Sequence, residues 1–110
     1  RKTMPRFLAD NYAANFNLFA PYQQLANEAG CTPAQLALAW LLHKSQNIIP
    51  IPGTANEKHL LDDLGAVNVS LSPDLMTRLE ALINERTVIG SRYTAQANSE
   101  VDTEVFENHP

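Results

Sequence analysis

The sequence predicts an α/β fold, to which this chain contributes about four helices and a single strand. Three observations carry that prediction. Four stretches repeat apolar residues at spacings of three and four, the signature of an amphipathic helix. One short β-branched run, Asn47-Ile48-Ile49-Pro50-Ile51-Pro52, reads as a buried strand, with prolines at its end that stop a ladder from continuing. A lone apolar strand cannot keep its backbone donors and acceptors unpaired in a folded core. Its neighbours must come from a second copy of the chain or from the rest of a larger α/β domain.

Arg1-Lys2-Thr3-Met4-Pro5-Arg6-Phe7 has three basic residues and no period, and reads as a loop. From about Asn15 the pattern turns helical, with Leu18, Phe19, Tyr22, Leu25, Ala26 and Ala29 on one stripe and Gly30 as its stop. Thr32-Pro33-Ala34-Gln35 is a capping box: Thr32 caps, Pro33 takes the first helical position and Gln35 reaches back. Cys31 and Leu36 flank it at hydrophobic-staple spacing, so Cys31 reads as a packing residue rather than a reactive thiol. The helix that follows carries Leu36, Ala37, Trp40, Leu41 and His43, is apolar on more than one face, and is expected to be largely buried. After the strand, Thr54 or Asn56 caps a helix with Leu60, Leu61, Leu64 and Val67 as its apolar side. Ser72-Pro73 opens the last helix, with Leu75, Met76, Leu79, Leu82 and Ile83 inward. Periodicity fades after Glu85, and Asn98 to Pro110, with four acidic residues and no Lys or Arg, reads as an exposed tail.

Composition narrows the function. A chain of 110 residues, 45% hydrophobic and 18% charged, suits one compact domain and argues against global disorder. A net charge of −4 argues against a nucleic-acid binder, which needs a basic face. In particular, a helix-turn-helix reading of Thr32 to His43 fails because that helix is too apolar. The longest apolar run, Leu36 to Leu42, is far short of a bilayer span, so no membrane association is expected. The single cysteine excludes an intramolecular disulfide and a Cys-based zinc cluster, and fits a reducing, cytoplasmic setting. The chain opens on Arg1 rather than Met, which suggests a sequence that continues upstream.

Catalytic hardware is sparse. The chain has no nucleophile elbow, no phosphate loop ending in Gly-Lys-Ser/Thr and no Gly-x-Gly-x-x-Gly. His43, His59 and His109 lack metal-site spacing, and no metal is expected. Asp62 and Asp63 are adjacent on a helix and point about 100° apart, so they are no shared-proton dyad. One segment does resemble a site. Pro52-Gly53-Thr54-Ala55-Asn56, between strand and helix, places backbone N–H groups at a helix N-terminus, where an anion such as a phosphate binds well. Gly53 would let a ligand approach, and Thr54 and Asn56 would add hydrogen bonds. The same residues also fit an ordinary capped strand-to-helix turn.

Thr32-Pro33-Ala34-Gln35-Leu36-Ala37-Leu38-Ala39-Trp40, Ile49-Pro50-Ile51-Pro52-Gly53-Thr54, His59-Leu60 and Leu71-Ser72-Pro73, in that order, resemble the C-terminal third of the aldo/keto reductases. Arg1 to Asn11, with Met4-Pro5-Arg6-Phe7, and Gly90-Ser91-Arg92-Tyr93 are similar too, so the resemblance spans about residues 1–93 and leaves 94–110 as an acidic tail. It implies a (β/α)₈ TIM barrel of roughly 250 residues or more, of which this chain is the C-terminal part. The chain would begin after strand seven and supply strand eight with its helices. The strand's partners would then be strands seven and one, in the missing N-terminal part of the barrel.

The resemblance implies NADPH-dependent reduction of a small aldehyde or ketone, without metal. The family's Asp, Tyr, Lys and His tetrad lies on earlier strands, so no catalytic residue is carried over, and the segment alone is expected to be inactive. What carries over is the adenosine end of the cofactor site. Gly53 and Thr54 match the phosphate-contacting turn, with Asn56 beside them. His59 stands where many relatives place an Arg near the 2′-phosphate, although histidine is usual in the Pro-Gly-Thr branch; Asp62 matches an acidic position next to the adenine, and Asp63 one that is usually Asn. Gly53 in place of Lys, Ala55 and Asn56 in place of basic residues, and Asp63 in place of an amide all weaken selectivity for NADPH over NADH, with Lys58 and His59 left to compensate. The alternative is a free-standing helical module whose Leu36-to-Leu42 surface docks a partner. As a barrel segment, the chain alone is expected to self-associate.

Overall fold

The computed structural model describes residues 1–102, and the chain divides into two compact units, Pro21–Leu79 and Arg1–Ala20 with the described residues from Glu80 onward. The helices are α1 (Ala9–Phe16), α2 (Phe19–Ala29), α3 (Pro33–Lys44), α4 (Glu57–Leu64), α5 (Pro73–Leu82) and α6 (Ala95–Asn98), with 3₁₀ turns at Pro5–Phe7 and Gly65–Asn68.

The Pro21–Leu79 unit holds the buried apolar residues Leu25, Ala26, Leu36, Ala39, Ala66, Leu71, Leu75 and Leu79. Its local joints follow the expected chemistry. Gly30 takes φ +72°, and the Gly30 and Cys31 N–H groups close α2 on the carbonyls of Asn27 and Ala26 at 3.1 and 3.0 Å, a Schellman arrangement. At the start of α3, the Gln35 N–H donates to Thr32 Oγ1 and the Thr32 N–H donates to Gln35 Oε1, both at 3.1 Å, so the capping box forms as expected. Tyr22 Oη donates to the Pro33 carbonyl at 2.6 Å, joining α2 to the first turn of α3. At the other end of α3, the Leu71 N–H donates to His43 Nε2 at 3.2 Å, which leaves His43 Nδ1 as the N–H that donates to the Ala39 carbonyl at 2.8 Å. His43 is therefore a structural bridge to the segment before α5. Arg78 on α5 grips Glu28 on α2 at 2.7 and 2.8 Å, and this hydrogen bond, more than the charge itself, holds the Glu28 carboxyl below its usual range.

Two sequence expectations need correction here. The strand does not form: residues 48–52 lie in irregular backbone, no strand occurs among the described residues, and Ile49 and Ile51 are 84% and 92% exposed. Pairing is non-local, and the described residues contain no second strand to complete a ladder. Burial is also less than expected. The α4 side chains Leu60, Leu61 and Leu64, together with Val67, are exposed, and α3 buries only Leu36 and Ala39. Seating the remaining apolar groups would take a surface beyond what this unit provides.

In the other unit, the expected opening loop, residues 1–7, ends in a 3₁₀ turn, and α1 follows it, a helix the apolar stripe does not announce. Asn15 clamps the backbone of Ile89 from both sides: its Nδ2 donates to the Ile89 carbonyl at 2.8 Å, and its Oδ1 accepts from the Ile89 N–H at 2.7 Å. Arg6 Nε donates to the Gly90 carbonyl at 3.0 Å. Gly90 adopts φ +91°, and a Cβ there would lie 2.9 Å from the Arg6 nitrogen and the Pro5 carbonyl carbon, so glycine is required. Tyr12, Phe16 and Phe19 stack at 5.9 and 5.7 Å on an exposed face. Of the expected tail, Thr94 caps the short α6, Ser99 to Asp102 are exposed, and residues 103–110, including His109, lie outside the described residues.

Candidate functional site

Asn56 is the cap of α4. Its Oδ1 accepts from the Lys58 N–H at 2.9 Å and from the His59 N–H at 3.3 Å. Just before it, Thr54 Oγ1 accepts the Asn56 N–H at 3.1 Å. Of the two readings the sequence allows, a capped turn and an anion site, these bonds satisfy the first, and they occupy backbone donors that an anion would use. A ligand phosphate at this turn would have to rely on side chains more than on the helix terminus. Glu57, in the first turn of α4, adds a negative charge beside the same donors.

Next to this turn lies an open groove of about 420 Å³, lined by Thr32, Pro33 and Ala34 from the start of α3, Gly53 and Thr54 from the loop, and His59, Asp62 and Asp63 from α4. Five of the six residues expected to bind cofactor therefore line one cleft, and Asn56, the sixth, holds the helix that carries three of them. A Cβ built on Gly53 would meet no atom within 4 Å, so the absent side chain leaves open space over the loop backbone.

The polar character of the groove is acceptor-rich. Asp62 and Asp63 bring carboxylates, Thr54 brings a hydroxyl, and His59 is the one lining residue able to carry positive charge. Neither Lys nor Arg lines it, although Lys58 neighbours His59 in sequence. Such a donor and acceptor set fits an adenosine, whose exocyclic amine and ribose hydroxyls donate to carboxylates. No group of His, Cys, Asp and Glu able to hold a metal ion occurs among the described residues, and no described helix is long and apolar enough to cross a membrane.

Sequence reasoning assigned Thr32 only to capping, yet Thr32 also lines the groove and its Oγ1 donates to Asp62 Oδ2 at 2.9 Å. The signal was present in the chemistry of the residue: capping uses a hydroxyl as acceptor and leaves its O–H donor free for a second partner. Cys31, next in the chain, has its thiol pushed up by burial first and by the Asp62 charge second, which keeps it protonated and agrees with a packing role.

Residues 1–84 match the Aldo/keto reductase family. Among curated proteins, the chain is 36% identical over 101 residues to the aldo-keto reductase yakc [NADP(+)] of Schizosaccharomyces pombe. That match covers 92% of this chain and 30% of the relative, so the chain spans about a third of the length of the curated protein it resembles.

Proposed function

The chain belongs to the aldo/keto reductase family, and from that membership we propose that it is the C-terminal segment of an NADPH-dependent reductase converting small aldehydes or ketones to alcohols, in which it supplies the adenosine end of the cofactor site. The observation that carries this reading is the groove itself, where Gly53, Thr54, His59, Asp62 and Asp63 meet in a chain of this family. The yeast relative, by its name, uses NADP(+), and that supports NADPH over NADH.

Within the proposed site, open space over Gly53 admits the ligand to the loop backbone, and Thr54 lines the same cleft. The carboxylates of Asp62 and Asp63 accept from the base and sugar, and His59 supplies positive charge toward the 2′-phosphate. Asn56 acts one step back by fixing the first turn of α4. When bound, the nicotinamide supplies the hydride for carbonyl reduction. The proton donor and its partners belong to the rest of the barrel, and no residue of this chain is assigned to the reacting atoms.

The same proposal gives Ile48 to Pro52 a place. Set between two neighbouring strands of a barrel, the segment would complete its backbone hydrogen bonds and bury Ile49 and Ile51. A free-standing helical module would leave both side chains in water.

Thr54→Ala tests the site assignment in the full-length protein. Its contacts are remote from hydride transfer and act on ground and transition states alike, so KM for NADPH rises while kcat holds. An unchanged KM would remove Thr54 from the site.

A further inference from the structure

Two hydrogen bonds tie the start of α3 to one residue of α4. Gln35 Nε2 donates to the Asp62 carbonyl at 2.8 Å in a partly buried position, and Thr32 Oγ1 donates to the Asp62 carboxylate at 2.9 Å. These are the same two side chains that form the capping box with each other. The box therefore works in both directions: Thr32 Oγ1 and Gln35 Oε1 accept from the α3 backbone, and the remaining O–H and N–H donors reach across to Asp62. Gly65, beyond α4, leaves the room this needs, because a Cβ there would come within 2.5 Å of Gln35 Nε2.

We propose that Gln35 and Thr32 are positioning residues of the cofactor groove, setting the Asp62 carboxylate through its backbone and side chain, with Gly65 as the gap that admits the Gln35 amide. The inference rests on the reading of Asp62 as a cofactor contact. Without the tether, Asp62 turns with α4 and its carboxylate no longer holds one orientation toward the cleft. Neither Gln35 nor Thr32 needs to touch the cofactor for this to affect affinity.

Two substitutions break the Gln35 tether by different routes. Gln35→Glu keeps the capping acceptor and removes the donor to Asp62. Gly65→Ala adds no charge and takes the place of the Gln35 amide, and Gly65 has φ −61°, which alanine adopts without strain. The experiment is calorimetric titration of the full-length protein with adenosine 2′,5′-bisphosphate, for wild type, Gln35→Glu, Gly65→Ala, Asp62→Ala and the Gln35→Glu/Asp62→Ala pair, with Thr32→Ser as the conservative control.

Each tether variant should raise Kd about three- to tenfold, the range one misplaced hydrogen bond carries. Asp62→Ala should weaken binding at least as much, Thr32→Ser should stay within about twofold of wild type, and Gln35→Glu should add nothing once Asp62 is alanine. A Gln35→Glu penalty that persists in full in the Asp62→Ala background would reveal a general charge or folding effect and overturn the proposal. Wild-type affinity in both tether variants, alongside weakened Asp62→Ala, would overturn it while leaving Asp62 in the site. Wild-type affinity in Asp62→Ala would remove both the cofactor contact and the positioning role built on it.

Discussion

Tyr22 and Pro33 meet through one short hydrogen bond, phenol to carbonyl at 2.6 Å, which joins α2 to the first turn of α3, where Pro33 lines the groove. Burial first, and the negative charge that the nearby Cys31 carries once ionised at alkaline pH second, push the Tyr22 phenol from 10.0 up to about 12. The unfolded chain thus releases this proton at lower pH than the folded chain does. Stability is fully present below pH 10.0 and is lost as pH rises toward about 12. Denaturant melts across that window should show the decline in wild type and a flatter profile in Tyr22→Phe. At neutral pH the same substitution costs about 1 kcal/mol, through the lost bond to Pro33. Parallel alkaline profiles for the two proteins would contradict the assignment.

Gly90 and Gly30 both have positive φ, but their surroundings differ. A Cβ at Gly90 collides with backbone atoms of Pro5 and Arg6, whereas a Cβ at Gly30 meets nothing within 4 Å. Gly30→Ala should cost only the left-handed backbone penalty, about 1–2 kcal/mol. Gly90→Ala should exceed that and should loosen Arg1–Phe7 as well, measured as faster amide exchange in that segment. Equal losses from the two substitutions would mean that the close approach at Gly90 relaxes freely.

The 110-residue chain expressed alone exposes Ile49, Ile51, Leu60, Leu61, Leu64 and Val67. Analytical ultracentrifugation should find an oligomer or aggregate, and no carbonyl reduction should be detectable. A monodisperse monomer with a cooperative melt would favour the independent helical module instead.

The charge of the groove predicts how cofactor choice can be shifted. His59→Arg installs a permanent, forked cation where the lining has no Lys or Arg, and Asp63→Asn removes a charge of the same sign as a phosphate. Each should improve the ratio of NADPH to NADH affinity by about three- to tenfold at moderate salt, with the gain shrinking as ionic strength rises. A ratio unmoved by both would place the 2′-phosphate elsewhere.

What the sequence revealed and what it concealed divide by the range of the interaction. Gly30, Thr32 with Gln35, and Asn56 act within a few residues of themselves, and the structure contains each of those local devices. Ile48 to Pro52 carries strand propensity, but pairing needs a partner that lies elsewhere, so composition alone could not say that the segment would stand open in this chain. Helix α1 escaped notice because Leu8 gives it no side-chain cap and its aromatic residues stay exposed. The family resemblance singled out six residues as candidates for a cofactor site, and five of them line one groove. The capped-turn alternative for Thr54 and Asn56 was legible too, and the structure contains it; sequence could not choose between cap and ligand site, because the same side chains serve equally well to bind a ligand or to cap a helix.

The central claim, that this groove receives the adenosine end of NADPH, is tested most directly by amide chemical shifts of the full-length protein titrated with adenosine 2′,5′-bisphosphate. The account predicts saturable shifts at Gly53, Thr54, His59, Asp62 and Asp63, abolished or weakened by Asp62→Ala. Saturable shifts confined to other residues, or none at all, would contradict it.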